Sequence, residues 1–475
     1  MEQGWRHRVG DRVIRQARRQ ELEPILIEET EPRRRNRRFE SPVILIYGFG
    51  SLIAIGTLLL WLPYFNTTGG FTPFLTALFT ATSASTVTGL VVVDTATHWS
   101  RAGQGVLMIL MEVGGLGFMS TATFLLVIIT QRVTVANQLI MREFLGISRR
   151  SGLLRLSIQV VSISLFFQLV GFLIFLWRFL PIFEPSEAVW QALFLAVSGF
   201  NNAGFNIIPE SASMVLFRKE MWILGCLTAL IIVGGISYSI LAEFVRFKRF
   251  SRFSLDSRMV IVLSLVLWLL GAMVFFVSEF GNEATLKGLP LGSQVIDSVF
   301  HSVSGRTAGF TTIDFVQTEQ HTNFFFTGLM FIGGASGSTA GGIKVNTMAV
   351  ILVAVMASIR GRAQVEVSGR EIPAAQIQRA LAIAFLGIGF VFIVAFFLVV
   401  TEGFPFDDIL FETVSAFGTV GLSSGITADL SVWGKSLLAS TMFVGRLGPL
   451  TMALAMGQVP QRAIYRYSQE RVRIG

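Results

Sequence analysis

The sequence predicts an all-α membrane protein built as four tandem repeats, each a span, a short re-entrant helix, a glycine-containing loop and a second span. Three observations predict it. Of 475 residues, 52% are hydrophobic and 14% charged, with a mean hydropathy of +0.64, where soluble domains carry roughly 25% charged residues. The basic residues collect in five segments separated by apolar stretches. A glycine-centred phrase returns four times. This composition excludes a soluble globular enzyme, and at roughly 20 residues per crossing the chain has room for eight or more spans.

Cys226 is the only cysteine, which removes any internal disulfide framework, cysteine metal site or redox pair. His7, His98, His301 and His321 lie far apart and show no metal-ligand spacing. No convergent set of acids, bases or nucleophiles stands at motif spacing, so a multi-pass membrane enzyme working through polar outer loops lacks its residues. No cleavable signal is expected: the first forty residues are polar, and the first apolar run, Pro42 to Leu62, is long enough to span.

Of 38 Lys and Arg, eleven fall in residues 1 to 40, five in 131 to 155, five in 243 to 258, four in 358 to 379 and four in 461 to 475. The segments between hold only Arg101, Arg218, Lys219, Lys287 and Lys435, while Arg178, Arg306, Lys344 and Arg446 lie in or beside apolar stretches. The positive-inside rule makes the five basic segments and both termini cytoplasmic. Four excursions then give eight spans, near 42 to 62, 104 to 130, 153 to 180, 221 to 242, 259 to 280, 324 to 358, 380 to 400 and 436 to 457. The expected organisation is a polar tail (1–40), repeat 1 (41–130), repeat 2 (131–247), repeat 3 (248–360), repeat 4 (361–460) and a C-terminal tail (461–475). Arg33, Arg34, Arg35, Arg37 and Arg38 would suit nucleic acid, but the same tail carries eight acidic residues. A solvated tail touching anionic membrane lipids or a partner is the preferred reading, with no nucleic acid.

The four phrases are ATSASTVTGLVV, LAVSGFNNAGFNI, FHSVSGRTAGFTT and TVSAFGTVGLSS. Their shared glycines, Gly89, Gly204, Gly309 and Gly421, are separated by 115, 105 and 112 residues, the spacing of a tandem repeat. Before each comes a stretch too short to cross, with start signals at Thr72 and Pro73, at Pro185, Ser186 and Glu187, at Ser293, and at Asp407 and Asp408. A serine, Ser83, Ser198, Ser304 or Ser415, follows about a dozen residues on. A half-crossing helix with an irregular return is tolerated in lipid only where it lines a cavity or is buried in protein. Four such helices aim the negative ends of their dipoles at one axis, which favours a cation there. The glycine in each phrase lets backbone carbonyls turn inward to replace a hydration shell.

With span, pore helix, filter and span repeated four times, and phrases of the types STVTGL, NNAGF, RTAGF and GTVGL, the chain resembles the Ktr/Trk/HKT superfamily of potassium transporters from about residue 42 onward. The absence of an extra helix pair ahead of repeat 1 and the short ending RVRIG point to the KtrB-type membrane subunit. The resemblance implies a selectivity filter at Thr86, Val87, Thr88 and Gly89, at Asn201, Asn202, Ala203 and Gly204, at Arg306, Thr307, Ala308 and Gly309, and at Thr419, Val420 and Gly421. Potassium would be held at the four glycines. It also implies a bacterial inner membrane, Na⁺ as a candidate activator, a homodimer with one pore per chain, and regulation by a cytosolic nucleotide-binding ring. This chain itself has no nucleotide fingerprint.

In the sixth span, Phe324 to Ile332 is followed by GGASGSTAGGI, five glycines in eleven residues. A continuous helix there would cost about 1 kcal/mol per glycine relative to alanine, so the helix should break. By the resemblance this stretch, with Gly333, Gly334, Ser336, Gly337, Ser338, Thr339, Gly341, Gly342 and Lys344, is an intramembrane gate; close helix packing through small residues is the alternative. Arg446 is expected to act as an electrostatic barrier beneath the filter, or else to pair with Glu112. Arg306 should turn away from the axis and pair with Asp297 or Glu412. Asn201 and Asn202 either stiffen the second loop by hydrogen bonds or only tolerate unusual dihedrals. His301 reads as a packed histidine. GGLGF (Gly114 to Phe118) and GGISY (Gly234 to Tyr238) read as helix-packing sites. A cation symporter with alternating access is the competing function, since broken helices suit that too, although four repeats of one orientation favour a pore.

Overall fold

The computed structural model describes residues 43–117, 153–208, 214–247, 249–362, 364–449 and 451. All belong to the unit Glu40–Gly475. Both tails, and the expected span residues 118 to 130 and 452 to 457, lie outside the described residues.

One unit of structure occurs four times. In repeat 1, helix α1 (Val43–Trp61) leads to the short α2 (Phe74–Thr86), then a one-turn α3 (Thr95–His98) and α4 (Arg101–Gly115). Repeat 2 runs α5 (Leu153–Phe179), short α6 (Pro185–Phe200), α7 (Met221–Gly235) and α8 (Tyr238–Arg246). Repeat 3 runs α9 (Leu255–Glu279), short α10 (Leu291–Thr307), α11 (Gln320–Phe331) and α12 (Val345–Ile359). A two-stranded hairpin, β1 (Glu366–Val367) and β2 (Arg370–Glu371), then precedes repeat 4: α13 (Ala374–Thr401), short α14 (Phe406–Gly418) and α15 (Val432–Leu447).

Within each repeat the first helix packs along the short one. Between repeats, the helix after each glycine loop packs on the next short helix: α4 on α6, α7 on α10, α11 on α14, and α15 back on α2. The last contact closes the chain into a ring.

Each short helix starts at a proline whose fixed φ suits a helix start: Pro73, Pro290 and Pro405 stand at the N-cap and Pro185 in the first turn. Ser293 stands in the first turn of α10, as Asp407 and Asp408 do in α14. The last seven residues of each short helix are buried, and some of their hydroxyls bond back into the helix, as Thr86 to the Thr82 carbonyl and Thr413 to the Ile409 carbonyl, each at 2.7 Å.

Ile158–Phe179 of α5, α9 and α13 are long and apolar enough to cross a membrane, while α7 and α8 pass that test only as a pair bent by 100°. That bend corrects the expectation of a continuous span over 221 to 242. The helix ends at the Gly234–Gly235 pair and restarts at Tyr238, with Ser237 capping it. The same dipeptide at Gly114–Gly115 ends α4. As expected, α11 stops at Phe331 and the glycine-rich stretch is a loop before α12.

Candidate functional site

The four phrase glycines meet at one place. Their φ values are +89°, +75°, +70° and +93° at Gly89, Gly204, Gly309 and Gly421, in the region that an L side chain resists. A Cβ on Gly89 would stand 2.6 Å from the Ala203 carbonyl oxygen, and one on Gly204 would stand 2.6 Å from that of Ala308. A Cβ on Gly309 would collide with the Val420 oxygen, and one on Gly421 with the Thr88 oxygen. Each glycine thus abuts the carbonyl just before the next repeat's glycine, and the fourth abuts the first. The glycines also line an open cavity of about 370 Å³ whose walls include Asp94 and Asp314.

The serines that close the short helices hold this ring. Ser83 accepts from Gly89 N at 3.1 Å and Ser415 from Gly421 N at 3.1 Å. In the middle repeats the hydroxyl turns donor: Ser198 gives to Phe205 O and Ser304 to Phe310 O, each at 2.6 Å. Outside the ring, side chains of the short helices pin the returning strands. Gln191 donates to Ile207 O at 2.8 Å, Asp297 accepts from Thr312 Oγ1, and Glu412 accepts from Ser424 N at 3.0 Å and Thr427 Oγ1 at 2.9 Å. Sequence reasoning missed these clamps as such; their signal is an amide or carboxylate residue seven positions before Ser198 and Ser304 and three before Ser415.

Of the predicted filter residues, Val87, Thr88, Gly89, Ala203, Gly204, Ala308, Gly309, Val420 and Gly421 stand in the ring and its supporting turns. Thr86, Arg306 and Thr307 do not: they are still helical, ending α2 and α10. Thr419 and Val87 are left-handed helix caps. Asn202 is left-handed too, with φ +58°, and its amide lies 2.9 Å from the Thr307 hydroxyl of the next repeat. Asn201 keeps a helical backbone and donates to Glu112 at 2.6 Å; Gln168 donates to the same carboxylate at 2.7 Å. The two asparagines thus do both things the sequence left open.

The ion pair expected for Arg306 is absent among the described residues. Arg306 turns away from the axis, but it donates to the Gly333 carbonyl at 2.9 Å and stacks over Trp268 at 5.6 Å. Asp297 is paired with Arg218 at 3.0 Å, and Glu412 is occupied by the hydroxyls above. Nor does Arg446 meet Glu112. It donates to the Gly115 carbonyl at 3.0 Å and also to those of Gly114 and Thr339, so carbonyl dipoles replace a counter-ion. His301 is a packed histidine, stacked on Phe275 at 4.7 Å and bonded to Asp297 O at 2.8 Å.

The loop between Gly333 and Lys344 lies against the end and cap of α14, next to the ring. A Cβ on Gly341 would strike the Thr419 side chain, and one on Gly342 would stand 3.1 Å from Gly418 Cα. Backbone bonds tie the loop to repeat 2, from Ala335 N to Gly235 O at 3.0 Å and Thr339 N to Gly234 O at 3.1 Å, and to repeat 4, from Gly342 N to Gly445 O at 3.2 Å. Ser336 N donates to Asn346 at 2.8 Å, Ser338 Oγ to Ala335 O at 2.7 Å, and Lys344 Nζ to Ala340 O. Gly337, with φ +74°, forms the tip, and Gly333 N closes the base on Ile343 O at 2.9 Å. Arg446 therefore joins this loop to repeats 1 and 4 next to the ring.

A closed ring of glycines and carbonyls thus sits among helices of which three are long and apolar enough to cross a membrane. Residues 25–467 match the family model TrkH, described as a cation transport protein, and the chain belongs to that family. It is 37% identical to the Ktr system potassium uptake protein B of Bacillus subtilis over 90% of this chain and 95% of that one. It is 35% identical to the potassium/sodium uptake protein NtpJ of Enterococcus hirae, covering 93% and 99%. The crystal structure of the potassium transporter TrkH from Vibrio parahaemolyticus superposes with a TM-score of 0.70 over 90% of this chain and 86% of that one; at 18% identity, it bears on the fold alone.

Proposed function

We propose that this chain is the ion-conducting subunit of a potassium uptake system, with one pore on the axis of its four repeats. The observation that carries the reading is the cyclic contact of each phrase glycine with the carbonyl before the next. A ring of backbone carbonyls that no side chain can enter is what replaces the hydration shell of a small monovalent cation. Relatives named for potassium uptake at 35–37% identity support potassium as the ion. In this reading there are eight spans and four pore helices, the repeats begin and end as the sequence analysis sets them, and both termini are cytoplasmic in a plasma membrane. The filter is Thr88–Gly89, Ala203–Gly204, Ala308–Gly309 and Val420–Gly421, with Val87, Asn202 and Thr419 shaping it.

The loop from Gly333 to Lys344 is the gate. It lies against the ring, is made of small residues, and is held to repeats 2 and 4 by a few backbone bonds. Arg446 and Lys344 put positive charge on the inner side, where it opposes a cation that has left the filter. Arg446 also latches the loop through Thr339. Na⁺ activation, a homodimer and a cytosolic nucleotide-binding ring that acts on the loop complete the proposal. The one-directional closure of the four repeats favours this pore over an alternating-access symporter.

The test is K⁺ uptake in cells lacking their own potassium systems, with the wild type and Gly309→Ser at equal membrane abundance. Growth at low external K⁺ with the wild type, and weaker K⁺ preference over Na⁺ with the variant, are expected. No flux from the wild type with a ring partner supplied would sink the proposal.

A further inference from the structure

Away from the ring, an open groove of about 490 Å³ runs between α9 and α12. Its walls are Met259, Val262 and Val266 on one side and Ala349, Leu352 and Val353 on the other. At one end it is polar, bounded by the turn Phe250–Arg252 and by Ser368 of the hairpin. Arg258 fixes that turn over the groove mouth, donating to Phe253 O at 3.0 Å and Ser251 O at 3.2 Å. Arg249 and Arg252, on the same turn, are exposed, and neither forms an ion pair among the described residues.

We propose that this groove is a binding site for an anionic phospholipid of the cytoplasmic leaflet, one acyl chain between α9 and α12 and the phosphate at Arg249 and Arg252. The dimensions match. From Leu255 to Val266 a helix advances about 16 Å at 1.5 Å per residue, close to half of a hydrocarbon core roughly 30 Å thick. The groove is therefore one leaflet deep, with its basic rim at headgroup level. Charge selects the occupant: unpaired arginines at the cytoplasmic surface attract anionic headgroups over zwitterionic ones. A second copy of this chain seated on the same face by two-fold symmetry would bring the same arginine cluster against itself.

Occupancy bears on the glycine loop. Asn346, at the start of α12, donates to Asp256 of α9 at 2.6 Å and accepts from Ser336 N at 2.8 Å. The two walls of the groove and the loop are thus joined through one side chain. A lipid that sets the spacing of α9 and α12 also sets the tension on Ser336.

The proposal rests on the membrane placement above and not on ion conduction, so lipid retention without uptake would leave it standing. The experiment is native mass spectrometry of the full purified chain, delipidated and then offered equimolar phosphatidylglycerol and phosphatidylcholine. The wild type is expected to keep phosphatidylglycerol several-fold better. Arg249→Gln with Arg252→Gln should abolish the preference while lipid still binds. Val262→Trp, which fills the groove from an exposed position, should remove both lipids. Equal retention of the two lipids by the wild type would overturn the proposal, as would full retention by the arginine variant, which is confined to an exposed turn and so cannot fail by misfolding of the core. Conversion of a dimer to a monomer by Val262→Trp, with lipid retention intact, would assign the groove to a second copy instead.

Discussion

Repeat 3 differs from the other three repeats by one residue between its serine and its glycine. Six positions separate the serine from the glycine in Ser83–Gly89, Ser198–Gly204 and Ser415–Gly421, but only five in Ser304–Gly309. The residue lost is the left-handed one. Val87, Asn202 and Thr419 have φ values of +53°, +58° and +50°, and with them the helix unwinds through paired bonds such as Val87 N to Ala84 O and Thr88 N to Ser83 O, a Schellman ending. In repeat 3, α10 stays helical to Thr307 and Gly309 itself donates back to Ser304 O at 3.1 Å.

The neighbouring helix differs in step. In repeats 1, 2 and 4 a glycine sits directly on the carbonyl two residues past the serine: Gly114 on Ser85, Gly234 on Phe200, Gly445 on Phe417. In repeat 3 the matching glycines, Gly333 and Gly334, face the Gly341 and Gly235 carbonyls instead. The guanidinium of Arg306 satisfies the carbonyls at the end of α11. Three repeats are closed by backbone against backbone. The fourth is closed by a side chain, and there the chain leaves the helix to form the loop under the ring.

The largest expected effects come from breaking the ring that all four share. Gly309→Ala places a methyl against Val420 O in a backbone of φ +70°; overpacking costs about 1–3 kcal/mol and the left-handed conformation about 1–2 kcal/mol more. Rb⁺ uptake at equal membrane abundance should fall, and the flux that remains should discriminate K⁺ from Na⁺ less well, as with Gly309→Ser. Gly225→Ala, whose Cβ meets nothing within 4 Å, should leave flux unchanged. Equal flux from the Gly309 and Gly225 variants would refute the steric argument.

Next in size is Arg306→Met, which keeps volume over Trp268 but leaves the Ile332 and Gly333 carbonyls unsatisfied. An unsatisfied buried partner costs about 1–3 kcal/mol. A lower Tm in detergent and a loop more open to proteolysis or to hydrogen exchange at residues 333–344 should result. A Tm drop without added exchange in the loop would mean that Arg306 is only packing.

What the sequence made legible follows the same division. The ring was readable because its glycines recur at a near-constant interval, and a positive φ at a buried site leaves few other residues possible. The break before Gly333 was readable from composition. The ion pairs were not: Arg306 and Arg446 were matched to Asp297, Glu412 and Glu112 by charge, whereas burial made neutral carbonyls at helix ends the available acceptors, since those carbonyls have no intrahelical partner. The 100° bend between α7 and α8 was hidden because GGISY is apolar enough to continue a span, and only the docking of Ala335 and Thr339 on the Gly235 and Gly234 carbonyls explains why it stops. The left-handed caps were hidden too, since Val and Thr are poor candidates for that conformation by type.

That last point gives a prediction of opposite sign in two repeats. Thr419→Gly replaces a β-branched residue at φ +50° and should relieve about 1–2 kcal/mol of backbone strain, less the packing of its buried Cβ, Oγ1 and Cγ2. Thr307→Gly, at the end of α10 in helical geometry, should lose about 1 kcal/mol and its contact with Asn202. A rise or no change in Tm for the first and a fall for the second is expected. Falls of equal size would show that the two positions are conformationally alike.

The smallest effect separates donor from acceptor in the serine supports. Ser83→Ala removes the partner of Gly89 N, an amide with a single proton to give, whereas Ser304→Ala removes a donor to Phe310 O, a carbonyl with a second lone pair to offer elsewhere. Orphaned buried N–H groups are the rarer and costlier kind. Ser83→Ala should therefore lower Tm more, by an amount corresponding to about 1 kcal/mol, and loosen K⁺ preference over Na⁺, because the Gly89 peptide is then free to rotate its carbonyl off the axis. The reverse ranking would mean that the Phe310 carbonyl depends on Ser304 alone and that repeat 3 holds its side of the ring by the hydroxyl it donates.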